Sequence, residues 1–252
     1  MIEAYQPDLS LRGKLRRRLA LRHARRPAAS APPRPMVSFS FDDVPASAAE
    51  AGAAVLERAG VRGSFYIATA LCDREGHMGR FAGAEEVRRL AATGHEVGCH
   101  TAGHVDLARV SAALMEAELD ANRAALAGLG AEPRTFAYPY GEVGFAAKRV
   151  AGRRFALART VQAGLVRRGS DLAQAPAVGI EGADGEATAL RWLRRAAQER
   201  AWLILYTHDV RPDPSPWGCT PEALARVVAE AQSLGLHPVT VAEGAAARGA
   251  AA

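Results

Sequence analysis

The chain has 252 residues, 49% of them hydrophobic and 23% charged. That balance suits one large domain or two small ones and excludes a wholly disordered chain, a collagen-like repeat or a coiled-coil fibre. No run approaches the roughly 18 apolar residues of a membrane-spanning helix. Three cysteines, Cys72, Cys99 and Cys219, are too few and too scattered for a disulfide framework or a cysteine-based zinc cluster.

The net charge of +5 is unevenly spread: residues 1–35 carry a local +7 and the remainder −2. The basic character therefore belongs to the N-terminal arm, and no specific nucleic-acid binding is expected of the body. The arm lacks the order of a secretory signal, because its basic cluster starts at Arg12 and no apolar block follows. The expected location is the cytoplasm, with the inner membrane surface as the variant. Residues Leu9 to His23 can form a basic helix with Leu11, Leu15 and Leu19 on one stripe, suited to peripheral contact with anionic lipid. A solvated, partly disordered arm is the competing reading. Pro27, Pro32, Pro33 and Pro35 then make a stiff linker. The expected organisation is an arm and linker over 1–35, a catalytic domain over 36–244 and a flexible tail over 245–252.

From Met36 onward strands and helices alternate. Strands are predicted at 36–41, 64–67, 96–99, 135–138, 155–158, 177–180, 201–206 and 237–241, with Ala201 to Tyr206 the clearest buried one. Helices are predicted at 46–59, 83–93, 111–129, 145–150, 185–200 and 221–234, with Ser111 as an N-cap, Pro221 in a first turn and Gly60, Gly94 and Gly130 as stops. About seven alternations argue an α/β fold with a parallel sheet, open or barrelled.

Four polar clusters follow predicted strands, where parallel α/β folds build their active sites. Ser40-Phe41-Asp42-Asp43 offers two adjacent carboxylates, one able to bind a metal while the other takes a proton; Asp43 could equally cap the next helix. His100 and His104 are four residues apart and converge if their segment makes a helical turn. With an Asp they would form a metal site of two imidazoles and one carboxylate with open positions. Tyr138-Pro139-Tyr140-Gly141 is a turn after a strand. In Leu205-Tyr206-Thr207-His208-Asp209 the histidine is placed to act as a general acid.

In this order the clusters resemble the polysaccharide deacetylase family, carbohydrate esterase family 4. Its signatures run Thr-Phe-Asp-Asp-Gly, His-Ser/Thr-x-x-His, Arg-x-Pro-Tyr/Phe-Gly, a further Asp, and Leu-x-His-Asp. The resemblance spans roughly Val37 to Val241. It implies a distorted (β/α) barrel of about seven strands and a metal-dependent carbohydrate N-deacetylase. On that pattern Asp43, His100 and His104 hold a divalent metal, zinc by preference, and Asp42 is the general base. The metal and the backbone N–H of Tyr140 hold the oxyanion, and His208 protonates the departing amine.

The chain departs from the pattern at three places. Ala137 stands where the family has the Arg that orients the base, with Arg159 as a possible substitute from a neighbouring strand end. The Asp that tunes the acid histidine has no clear counterpart; Asp171 and Asp209 are candidates. The glycine after the Asp pair is Val44. Aromatic platforms for a sugar ring are expected at Trp217, Tyr140 and Tyr66, whereas Trp192 and Trp202 belong in the core. The expected partner is an acetamido sugar or glycan intermediate. The alternatives are a metal-dependent amidohydrolase acting on a non-sugar amide, and a non-catalytic glycan-binding protein.

Overall fold

A computed structural model describes residues 10–247. Leu9, where the predicted basic helix begins, and residues 248–252 of the predicted tail lie outside them. The body is built around seven strands hydrogen-bonded in parallel, in the order β7 (Leu157–Arg159), β6 (Thr135–Ala137), β5 (Glu96–Cys99), β2 (Ser64–Ile67), β1 (Met36–Asp42), β9 (Trp202–Thr207) and β8 (Val178–Gly179). A small β3–β4 hairpin (Glu75–Gly76 and Gly79–Arg80) lies apart from this sheet. The short β10 (His237–Pro238) pairs with the start of β1.

The two ends of the sheet meet through irregular backbone. Ala175 exchanges hydrogen bonds with β7, accepting from the Thr160 N–H and donating to the Ala158 carbonyl, before its chain enters β8. The result is a distorted (β/α) barrel, in agreement with the resemblance.

Strand alternation divides the residues between two environments. Val37, Phe39 and Phe41 of β1, Phe65 and Ile67 of β2 and Leu203 and Leu205 of β9 join the outer core. Packed there are α2 (Ala53–Arg58, preceded by a π-helical turn at Ala48–Gly52), α3 (Ala84–Ala92), α6 (Gly185–Gln198) and α7 (Pro221–Ser233). A second outer core gathers Phe136, Tyr138 and Ala158 with α4 (Ala112–Ala127) and α5 (Phe145–Arg154). The alternate positions fill the barrel interior and are unusually polar. Trp202 donates from Nε1 to Ser38 Oγ at 2.9 Å, and Ser40 donates to the Leu205 carbonyl at 2.8 Å. The hydroxyls of Tyr66 and Thr135 are 2.9 Å apart. Deeper in, Glu96 accepts from Ser64 Oγ at 2.6 Å and from the Ala242 N–H at 2.9 Å.

The predicted elements recur with shifts at their ends. The strand expected to reach Val241 stops at Pro238, because Thr240 caps α8 (Val241–Ala246). Ala245, expected in the flexible tail, is fully buried in that helix. Among the described residues of the arm the helix is α1 (Leu11–Arg22), capped by Ser10, whose Oγ accepts from the Gly13 N–H at 3.1 Å. The described part of the arm is held against the body rather than free in solvent. Arg26 N–H donates to Asp171 Oδ1 at 2.9 Å, its guanidinium reaches the Gly152 carbonyl at 2.7 Å, and Ala28 N–H donates to the Ser170 carbonyl at 2.8 Å.

Candidate active site

Every chemically distinctive residue lies where a strand ends. Asp42 closes β1 and Asp43 follows it; His100 follows β5; Tyr140 follows β6; Arg159 closes β7; His208 follows β9. Asp43 Oδ1 lies 3.4 Å from His100 Nε2 and 3.0 Å from His104 Nε2. One donor atom from each of the three falls within 4.8 Å of the others.

The chemistry of these atoms tests the metal assignment. His100 Nδ1 is 2.8 Å from the Ala137 carbonyl oxygen, which can only accept a proton, so Nδ1 carries the hydrogen and Nε2 of the neutral ring is a bare lone pair. Burial first, and then the neighbouring His104, push the His100 imidazole down to about 3, so the ring is neutral near pH 7. Asp43 Oδ1 is buried and receives no hydrogen bond. A lone pair facing a carboxylate oxygen at this distance is repulsive unless a cation lies between them. The donor set therefore fits a divalent metal with open positions.

The two histidines converge by a route other than the predicted helical turn. Residues 100–106 form an irregular loop in which Thr101 (φ 61°) and His104 (φ 54°) adopt left-handed backbone, and Thr101 Oγ1 accepts from the Val105 N–H at 3.1 Å. Asp43 (φ 56°), Val44 (φ 53°) and Tyr140 (φ 61°) are left-handed as well. Five strained non-glycine residues around one centre indicate a backbone held in place by its surroundings. Tyr140 also reaches His104: its hydroxyl is 3.2 Å from Nδ1 and the rings meet edge-on at 4.6 Å.

Arg159 takes the place left empty at Ala137. The two are cross-strand partners in the β6–β7 register, so the guanidinium enters the barrel at the same height, one strand over. The small Ala137 side chain leaves it room. Arg159 is fully buried, bonds Asp42 Oδ1 through Nη2, and passes between the rings of Tyr66 (4.9 Å) and Tyr206 (5.2 Å). Burial pushes it down to about 10, still charged at neutral pH.

The partner of His208 is Glu181, which the sequence reading did not single out. Glu181 Oε1 lies 3.1 Å from His208 Nδ1, with the Trp217 carbonyl 3.2 Å from the same nitrogen. Burial alone would lower the His208 imidazole; the adjacent Glu181 carboxylate and the charge of Asp43 outweigh it, and the net displacement is upward. Glu181 is the first residue after the predicted strand 177–180, so the strand-end rule could have found it.

Three expectations give way. Asp171 binds the arm: its Oδ2 lies 2.5 Å from Lys148 Nζ and its Oδ1 accepts from Arg26 and Ala173. Asp209 organises the loop after His208, accepting from Ser215 N–H at 2.8 Å and Ser215 Oγ at 2.5 Å and pairing with Arg211. Tyr66 is fully buried beneath Arg159 and cannot receive a sugar. Trp217 is 43% exposed and meets His77, at the tip of the β3–β4 hairpin, edge-on at 5.0 Å. Trp202 is in the core and Trp192 is partly buried against it, as expected.

The polysaccharide deacetylase family model matches residues 29–153. A search of curated proteins by sequence found no match. Among solved structures, a protein of Mycobacterium smegmatis assigned to the polysaccharide deacetylases aligns with a TM-score of 0.70 at 17% identity, over 88% of this chain and 94% of its own. A family 4 carbohydrate esterase from Streptomyces lividans, in complex with acetate, gives 0.57 at 18% identity over 82% and 93%. A family 4 acetyl xylan esterase from Clostridium thermocellum, in complex with cobalt, gives 0.56 at 21% identity over 82% and 89%. At these identities the structures speak to the shared barrel. The chain belongs to the polysaccharide deacetylase family, as a divergent member.

Proposed function

We propose that the chain is a metal-dependent carbohydrate N-deacetylase acting on an acetamido sugar or glycan intermediate. The observation that carries this reading is the meeting of Asp43, His100 and His104 between two oppositely charged pairs, Asp42 with Arg159 and His208 with Glu181. A bound divalent cation, zinc by preference, would polarise the acetyl carbonyl and acidify the attacking water.

The remaining work falls to side chains. Asp42, held by Arg159, takes the proton from the attacking water. The backbone N–H of Tyr140 is the proposed second donor to the oxyanion, and the Tyr140 hydroxyl steadies His104. His208, whose hold on a proton Glu181 strengthens, gives that proton to the departing amine, a step amide hydrolysis requires because an amide anion is a poor leaving group. Acetate and a free amino sugar result. The exposed Trp217 and the half-buried Tyr140 offer the sugar rings on which to stack.

The test is metal content and acetate release in the same preparations. Asp43→Ala and His104→Ala are expected to purify without stoichiometric metal, whereas Asp42→Asn keeps the metal and loses acetate release from N-acetylglucosamine oligosaccharides. Full metal occupancy in both ligand variants would remove the metal assignment, and unchanged turnover in Asp42→Asn would remove the base.

A further inference from the structure

The orientation of α1 inverts the usual arrangement of an amphipathic helix. Its inward face is small: Gly13 and Ala20 are buried, and the half-buried Arg16 and Arg17 pair with Glu142 at 3.5 and 3.3 Å. Lys148 fixes the end of the helix by donating to the Ala20 carbonyl. With that face committed to the barrel, all four leucines face outward. Leu11 is 83% exposed, Leu15 58%, Leu19 42% and Leu21 50%. Lys14, Arg18 and Arg22 are exposed between them and make no ion pair among the described residues.

A soluble helix places leucines inward and charges outward. Here both are directed away from the body, and the outward face has no acidic residue between Leu11 and Arg22. We propose that this face of α1 is a docking surface for an anionic lipid bilayer, with the leucines entering the headgroup boundary and Lys14, Arg18 and Arg22 meeting the phosphates. Charge complementarity selects the occupant: a second copy of the same helix would bring three cations against three cations. No helix among the described residues is long and apolar enough to cross a membrane, so the contact is peripheral. The helix is tied to the rim of the active site, since Glu142, which grips Arg16 and Arg17, lies two residues beyond Tyr140.

The experiment is flotation of the full chain with vesicles of phosphatidylcholine alone or of phosphatidylcholine mixed with anionic phosphatidylglycerol. Binding is expected only to the anionic vesicles and should weaken as salt rises. Leu15→Asp/Leu19→Asp and, separately, Arg18→Glu/Arg22→Glu should each lower the bound fraction about tenfold or more, an effect on the order of 1.4 kcal/mol or greater. Their melting temperatures should stay unchanged, because the substituted side chains face solvent. Equal binding to both vesicle types, or wild-type binding by either variant, overturns the proposal. So does an absence of vesicle binding with a wild-type dimer that Leu15→Asp/Leu19→Asp dissociates, which would make a second copy the occupant. None of these readouts requires deacetylation.

Discussion

Arg159 is the residue on which divergence from the family pattern turns, and the structure sets the size of the effect its removal should have. The guanidinium is fully buried and bonds Asp42, which is itself only 3% exposed. Replacing Arg159 with methionine preserves volume but leaves the Asp42 carboxylate buried without a countercharge. Breaking a buried pair in this way costs about 3–5 kcal/mol, and loss of two ring contacts adds about 0.5–2 kcal/mol each before repacking. For a chain of this size the ion-pair term alone corresponds to a melting temperature lower by roughly 6–20 °C. The double variant Asp42→Asn/Arg159→Met removes both charges and should recover most of that loss, since replacing a whole buried pair is often neutral or stabilising. Activity should be lost in both. Calorimetry with an acetate-release assay reads all four corners of the cycle. If Arg159→Met melts with the wild type, or the single and double variants melt alike, the charge pair is not what holds Asp42.

Two other sites give equally direct tests. Glu181→Gln removes the main influence raising His208. A lowered imidazole is protonated over a narrower range, so the alkaline limb of the kcat/KM profile should move to lower pH; an unmoved limb would dissociate Glu181 from the acid. The same variant should spare hydrolysis of an activated acetate ester, whose leaving group needs no proton, and an equal loss on ester and amide would point to a structural defect. Val44, fully buried with φ 53°, holds a left-handed conformation that costs a branched residue about 1–3 kcal/mol. Burial of its side chain returns about 1.5–3 kcal/mol. Val44→Gly should therefore be no less stable than Val44→Ala by thermal melting, reversing the usual order, and a glycine variant melting well below alanine would refute the strain.

Much of the site was legible because its residues follow strands whose boundaries the sequence shows. β2 and β5 agree with prediction residue for residue, and His100 lies just beyond the latter. The candidate metal triad could be named because all three members belong to local motifs. What escaped was set by register and closure. Arg159 could be suggested but not established, because only the pairing of β6 with β7 puts it level with Ala137. Asp171 looked suitable from its interval along the chain, yet the arm folds back to claim it. The leucine stripe of α1 was visible, but which face the body would cover depended on Ala20 meeting α5, a tertiary fact.

These displacements share a cause. Moving the guanidinium from β6 to β7 brings it between the Tyr66 and Tyr206 rings and fills the position next to the barrel seam. The partner of His208 then comes from the next strand, β8, whose end supplies Glu181. Tyr206 touches both halves of this arrangement, with Arg159 over its ring and the Glu181 charge helping to push its hydroxyl upward, after burial as the main cause. The proposed base and acid are thereby linked by a run of alternating charge, from the buried Asp42 and Arg159, through the influence of the Glu181 charge on Arg159, to the partly exposed Glu181 and His208. In such a run the loss of one member leaves its neighbour uncompensated, so substitutions at Arg159 and Glu181 should be non-additive: once Arg159 is gone, removing Glu181 should cost less stability than it does in the intact chain.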